Sequence, residues 1–162
     1  MHRAENTDDE ARLGCILAAL AEVGEPIVFP VHPRTRRRIA EMGAPGGRSL
    51  PAHVHTIEPL GYLDMVVLER SARLILTDSG GMQKEAYWLG VPCLTLREET
   101  EWVETVQVGW NRLMGTDPAR IAAAVRSFVP PPERPPLYGD GHAAERVAEV
   151  LASMAPIMGR PS

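Results

Sequence analysis

Hydrophobic positions in this chain alternate between short runs and longer stretches with helical spacing. Leu13, Ile16, Leu17, Leu20 and Val23 recur three and four residues apart and predict a helix closed by Gly24. Ahead of them, Thr7-Asp8-Asp9-Glu10 has the Thr-x-x-Glu form of a capping box. The apolar run "PIVFPV" at 26–31 predicts a buried strand. "RTRRRIAEMG" predicts a helix ending at Gly43, "APGGRSLPAH" a loop, and "VHTIE" at 54–58 a second strand. The pattern continues with a helix over 61–72, a strand over 73–77, a helix stopped by Gly90 and a strand over 92–96. A helix over 100–109 has Thr100 as its cap and Gly109 as its stop, and a fifth strand covers 111–115. Asp117-Pro118 opens the next helix in the preferred order of cap then proline. Five prolines within 130–136 make an extended connector, and "GDGHAAERVAEVLASM" predicts a terminal helix.

Short apolar strands alternating with helices predict an α/β fold, a parallel sheet with helices on both faces. Ligands of such sheets bind beyond the carboxyl ends of the strands. Four loops fall there. They carry His32, then Gly61-Tyr62, then Asp78-Ser79-Gly80-Gly81, then Arg97-Glu98-Glu99-Thr100.

The third of these loops carries chemistry. A helix N-terminus offers unpaired N–H groups and partial positive charge, and glycines let an anion come close to the backbone. Ser79 can cap the helix or donate to a phosphate oxygen. Glu85, one to two turns further in, can accept from a ribose diol. Arg97, on the neighbouring strand end, can add charge-assisted bonds. Singly, each is ordinary: a cap, a turn, a solvated carboxylate, a surface ion pair. Their shared place at adjacent strand ends makes them a candidate nucleotide diphosphate site.

Composition narrows the setting. With 162 residues, 44% hydrophobic and 23% charged, the chain fits one globular domain with a real core. A net charge of -4 argues against a general polyanion binder, and the basic run Arg34 to Arg38 reads as a solvated helix face, so no nucleic acid is expected. Cys15 and Cys93 lack disulfide or metal spacing and read as reduced core thiols of a cytoplasmic protein. No apolar run approaches a membrane span, and His53, His55 and His142 lack metal-ligand spacing. Trp88, Trp102 and Trp110 read as packing residues.

Several motifs carry a resemblance. "LTDSGGMQKEAYWLGVPCLTLREETEWVETVQVGWNRLMGTD", "HRAENTDD" at 2–9, "PVHPRTR" at 30–36, "IEPLGYLDM" at 57–65 and "YGDGHAAERV" appear in order. Together they resemble the non-hydrolysing UDP-N-acetylglucosamine 2-epimerases over nearly the whole chain. "ETEWVE", where many members have Thr-Glu-Arg-Pro-Glu, resembles a branch that includes epimerases of modified UDP-sugars. The resemblance implies the C-terminal, UDP-binding half of a two-domain GT-B fold. Residues 1–129 would be the Rossmann-like domain, 130–136 the connector, and 137–162 the C-terminal helix and tail. Ser79, Gly80 and Gly81 would hold the diphosphate, Glu85 the ribose, and Arg97 would stand near the phosphates. Leu60, Gly61 and Tyr62 would line the uracil slot. His2 would be the active-site histidine beside the leaving phosphate, and His32 would face the cleft.

The implied reaction removes the proton at sugar C2, expels UDP and adds it back, with no metal or nicotinamide. The family's acid and base carboxylates belong to an N-terminal domain, a missing partner in cis or trans. A strand preceding "HRAEN" in relatives would also be missing. That predicts a fraying His2, an unpaired sheet edge and little epimerase activity alone, whether the chain is a truncation, a split-enzyme subunit or a stand-alone binder. Relatives dimerise, so a homo-oligomer is possible. The alternatives are a donor-binding domain of a GT-B glycosyltransferase and a non-catalytic UDP-binding module.

Overall fold

The computed structural model describes Met1, residues 3–42 and residues 50–154. Gly43, the expected stop of the second long helix, and most of the loop after it lie outside the described residues, as does His2. The order of elements is α1 (Ala4–Thr7), α2 (Glu10–Val23), β1 (Ile27–Pro30), α3 (Pro33–Glu41), β2 (Val54–Ile57), α4 (Tyr62–Ser71), β3 (Ile75–Thr77), α5 (Gly80–Leu89), β4 (Cys93–Thr95), α6 (Val103–Gln107), β5 (Asn111–Leu113), α7 (Pro118–Ser127) and α8 (Ala143–Met154).

Local chemistry explains the boundaries, with two corrections. Asp9, not Thr7, caps α2: its Oδ1 accepts from the amides of Ala11 and Arg12 at 2.9 and 3.1 Å. The Thr7 hydroxyl is engaged elsewhere, donating to the Arg3 carbonyl at 3.0 Å within α1. Thr100 does not cap α6 either. Its Oγ1 accepts from the Trp102 amide at 3.1 Å, one residue ahead of the helix, and Trp102 is the N-cap. Asp117 caps α7 as expected, accepting from the Arg120 amide at 2.8 Å. Gly24 and Gly90 end α2 and α5 with left-handed backbone, φ 73° and 72°.

All strand pairs are parallel, and they form two sheets rather than one. β1 runs beside β2, from Ile27 opposite Val54 to Pro30 opposite Ile57. β3, β4 and β5 form the other sheet, with β4 central. Successive residues of β4 serve opposite faces. Leu94 joins Ile16 and Ala19 of α2 and Ile121 and Val125 of α7, whereas Cys93 joins Ala86 of α5. Helices therefore cover both faces, and burial pushes the free Cys93 thiol up to about 12.

Between the sheets runs a groove of about 550 Å³, walled by Ile27–Pro30 on one side and Leu74, Ile75 and Leu76 on the other. Among the described residues no strand bridges the two sheets. Among the described residues β1 and β3 each face the groove with an edge that pairs with no strand. Glu69 of α4 lines this groove. It is 2% exposed, and neither carboxylate oxygen has a hydrogen-bond partner. Burial, reinforced by the Glu85 carboxylate, pushes its carboxyl up to about 7.

The remaining surface is ordinary. Arg34, Arg36 and Arg38 meet the carboxylates of Asp8, Glu58 and Glu41, so the basic run is paired at three of its four arginines. Among the described residues no helix is long and apolar enough to cross a membrane. The proline-rich connector is strapped to the domain. Arg134 Nη1 donates to the Tyr87 carbonyl at 2.5 Å, Tyr87 donates to the Pro135 carbonyl at 2.5 Å, and the Trp110 indole donates to the Glu133 carbonyl at 2.9 Å.

Glu69 yields a pH prediction. Below the unfolded carboxyl range near 4.5 it is protonated folded and unfolded alike, and burial carries no charge penalty. As pH rises from 4.5 through 7 the unfolded chain releases this proton first, so stability falls. Thermal melts of Glu69→Gln against the parent should coincide at pH 4.5 and separate by pH 8, with the variant more stable.

Candidate functional site

The loop after β3 is built for a tight entry into α5. Ser79 is the N-cap, extended at φ -86° and ψ 126°, and its amide donates to Thr77 Oγ1 at 3.0 Å. Ser79 Oγ accepts from the Met82 amide at 3.5 Å, a long bond that leaves the hydroxyl proton free to be given elsewhere. The first amides of the ten-residue helix therefore face a mouth of about 460 Å³, lined by Arg3, Ser79, Gly80, Gly81, Glu101 and Trp102. Space is tight at position 80. A Cβ there would lie 3.1 Å from Trp102 Nε1 and 3.4 Å from Glu101 Oε2.

The "HRAEN" segment docks beside this mouth. Asp78, fully buried, receives the Arg3 amide at 3.1 Å and the Asn6 side-chain amide at 3.4 Å, and it lies 4.0 Å from the Met1 amino group. Asn6 also donates to the Leu96 carbonyl at 2.9 Å. The residues on either side of position 2 are thus tied to the ends of β3 and β4.

Two guanidiniums flank one carboxylate. Arg97 is 5% exposed, and its Nη1 donates to both oxygens of Glu101 at 3.1 and 3.0 Å. Arg3 Nη2 reaches Glu101 Oε1 at 3.4 Å. The Arg97 hydrogen bonds hold the Glu101 carboxyl below the usual carboxylate range. Arg3 therefore lines the mouth, Arg97 stands one layer behind it, and Glu101 lies between. An anion entering here competes with Glu101 for both cations.

The other expected residues are distributed around this centre. Glu85 is half-buried on α5, on the side whose charge acts on Glu69. Leu60 and His32 line the groove between the sheets rather than the mouth. His32 caps α3, its Nδ1 accepting from the Arg34 amide at 3.3 Å. Gly61 is the N-cap of α4, and Tyr62 is 68% exposed.

Arg3, Asn6, Asp78, Glu101 and a buried polar cluster complete the site, in roles that the sequence did not assign to them. In that cluster Thr95 donates to Asn111 Oδ1 at 2.8 Å, and Asn111 Nδ2 donates to Gln83 Oε1 and Thr105 Oγ1, both at 3.1 Å. Thr100 donates to Gln83 Oε1 at 2.5 Å, and Thr105 to the Trp102 carbonyl at 2.7 Å. The cluster ties α5, β4, β5 and α6 to the loop that closes the mouth.

An amide-lined mouth beyond the carboxyl ends of parallel strands defines an α/β domain with its mouth where ligands of such sheets bind. The family model described as UDP-N-acetylglucosamine 2-epimerase matches residues 1–152, and the chain belongs to that family. It is 45% identical over 155 residues to a UDP-N-acetylglucosamine 2-epimerase homolog of Methanococcus maripaludis, covering 95% of this chain and 43% of that relative. It is also 45% identical over 159 residues to a UDP-2,3-diacetamido-2,3-dideoxy-D-glucuronate 2-epimerase of Pseudomonas aeruginosa, with the same two coverages, 95% and 43%. The Methanocaldococcus jannaschii UDP-GlcNAc 2-epimerase in complex with UDP-GlcNAc and UDP superposes with a TM-score of 0.82 at 40% identity. That match covers 94% of this chain and 43% of that one. The chain spans less than half the length of these relatives.

The polar cluster gives a structural prediction. Asn111→Ala takes the acceptor from Thr95 and one donor each from Gln83 Oε1 and Thr105 Oγ1, and should cost about 2 kcal/mol, read from urea unfolding. The same substitution at an exposed polar position should cost far less.

Proposed function

We propose that this chain is the UDP-binding half of a UDP-sugar 2-epimerase, with the diphosphate seated in the mouth lined by Ser79, Gly80 and Gly81. The observation that carries the reading is the cluster of donors there: the first amides of α5, the Ser79 hydroxyl and the Arg3 guanidinium, with Arg97 behind. A homologous fold solved with UDP and UDP-GlcNAc supports it. Arg97 adds positive potential once Glu101 yields to the anion. Glu85 would take the ribose, Leu60, Gly61 and Tyr62 would flank the base, and His32 would face the cleft. Free thiols at Cys15 and Cys93 fit a cytoplasmic setting.

The chemistry follows from where charge develops. A base removes the proton at sugar C2, the C1–oxygen bond breaks, and UDP departs with the bonding electrons, leaving a double bond between C1 and C2. Re-addition of UDP at C1, with a proton delivered to the other face of C2, gives the epimer. Helix amides and guanidiniums fixed in advance stabilise the departing diphosphate, the largest single form of help a site of this kind offers. His2 is assigned beside the leaving group, since a histidine can be protonated near working pH. The groups that act at C2 are assigned to the part of the relatives' length this chain does not span. The two relatives at 45% identity differ in sugar but share a 2-acetamido group, so the proposed substrate is a UDP-linked 2-acetamido sugar.

Calorimetric titration of UDP into the chain tests the site. Heat is expected for the parent and none for Ser79→Asp, whose carboxylate repels the diphosphate. Glu101→Gln is expected to bind UDP several-fold more tightly, because it removes the competing anion. No heat from the parent would overturn the assignment. With the remaining part of a relative supplied, exchange of deuterium from solvent into sugar C2 should appear, which a glycosyltransferase donor domain would not produce.

A further inference from the structure

Among the described residues, the loop that closes the mouth holds two buried donors with no hydrogen-bond partner: Arg97 Nε, which has a Glu5 oxygen 4.0 Å away, and Trp102 Nε1. Trp102 Nε1 is shut off from solvent and makes no hydrogen bond. A buried N–H left unmade costs about 1–3 kcal/mol, so a chain that keeps one invites an explanation. Packing explains the ring of Trp102. Tyr138 meets it edge-on, with centroids 6.1 Å apart and planes at 89°, and the Lys84 ammonium sits 4.3 Å from its centroid. Packing does not explain the N–H, which lies 3.1 Å from where a Gly80 Cβ would be, in a residue that lines the same mouth as Ser79 and Arg3.

The donor is also held still. The Trp102 amide donates to Thr100 Oγ1 at 3.1 Å, and its carbonyl accepts from the Thr105 hydroxyl at 2.7 Å. Both threonines belong to the buried polar cluster. With backbone and ring both fixed, little conformational freedom remains to be lost when an acceptor arrives. The Lys84 cation over the ring face draws electron density from the indole and strengthens its N–H as a donor toward an anion. Glu101, which lines the same mouth, does not take this proton; its oxygens are engaged with Arg97 and Arg3.

We infer that the Trp102 indole N–H donates to an oxygen of the anion seated in the Ser79–Gly81 mouth, making Trp102 a determinant of how tightly this site grips a nucleoside diphosphate. The inference rests on the UDP-binding reading above.

The test is a titration of UDP into the ¹⁵N-labelled chain, followed through its indole and glycine amide resonances. The chain has three tryptophans, and Trp110 already donates to the Glu133 carbonyl, so its peak is an internal reference. The Trp102 peak is the one missing from the spectrum of Trp102→Phe. UDP is expected to move that peak downfield together with the Gly80 and Gly81 amides, while Trp110 stays in place. Trp102→Phe, which keeps an aromatic ring against Tyr138, should bind UDP about tenfold more weakly by calorimetry, the loss of one hydrogen bond to a charged acceptor. If UDP moves the glycine amides but not the Trp102 indole, or if Trp102→Phe binds as tightly as the parent, the inference is overturned and the UDP-binding reading stands. If no resonance moves, both fall.

Discussion

A single side chain, Asn111, holds the site in shape. It accepts from Thr95, donates to Gln83 and Thr105, and sits on the outermost strand of its sheet. Gln83 belongs to the helix whose amides face the mouth. Thr105 and Thr100 belong to the segment that carries Trp102 and Glu101 to the opposite wall. Remove the central amide and these two walls keep the Thr100–Gln83 hydrogen bond but lose the links that run through Asn111. In the low dielectric of a core these bonds favour one arrangement, and the Gln83 Nε2 is the member of the cluster left without a partner.

Charge is arranged around that frame in layers. Asp78, beneath the mouth, gathers the backbone of the "HRAEN" segment and brings Arg3 forward. Glu101 neutralises Arg97 and Arg3 when nothing else does. A carboxylate in that position keeps two guanidiniums aligned without a ligand, and it gives them an anion to exchange. The same logic is absent from the groove between the sheets, where among the described residues no cation pairs with the buried Glu69, and burial holds its proton on toward neutrality.

The sequence announced the elements well, because glycine and proline mark their ends and apolar spacing marks their faces. It announced Ser79, Gly80 and Gly81 for the same reason: a strand, a hydroxyl and two glycines in a row have few local explanations. It was less open about partners. Thr7 and Asp9 both suit a helix cap, and only the competing claim of the Arg3 carbonyl on the Thr7 hydroxyl decides between them. Asn6 and Asp78 meet across 72 positions, Gln83 and Asn111 across 28, and no short-range pattern encodes such pairs. Arg97 looked like the cation at the mouth, but the fold sets Arg3 in front of it. Trp102 looked like packing because its ring does pack.

The strap formed by the proline-rich segment has a mechanical side. It is fastened at Tyr87, Trp110 and Arg134, and a few residues later it delivers Tyr138 against the face and edge of the tryptophans beside the mouth. Beyond Tyr138 comes α8, whose valines and leucine at positions 147, 150 and 151 point outward with no described residue over them. Gly139 and Gly141, both in left-handed backbone, stand between that helix and Tyr138, so a swing of α8 can be absorbed before it reaches the aromatic wedge beside the mouth.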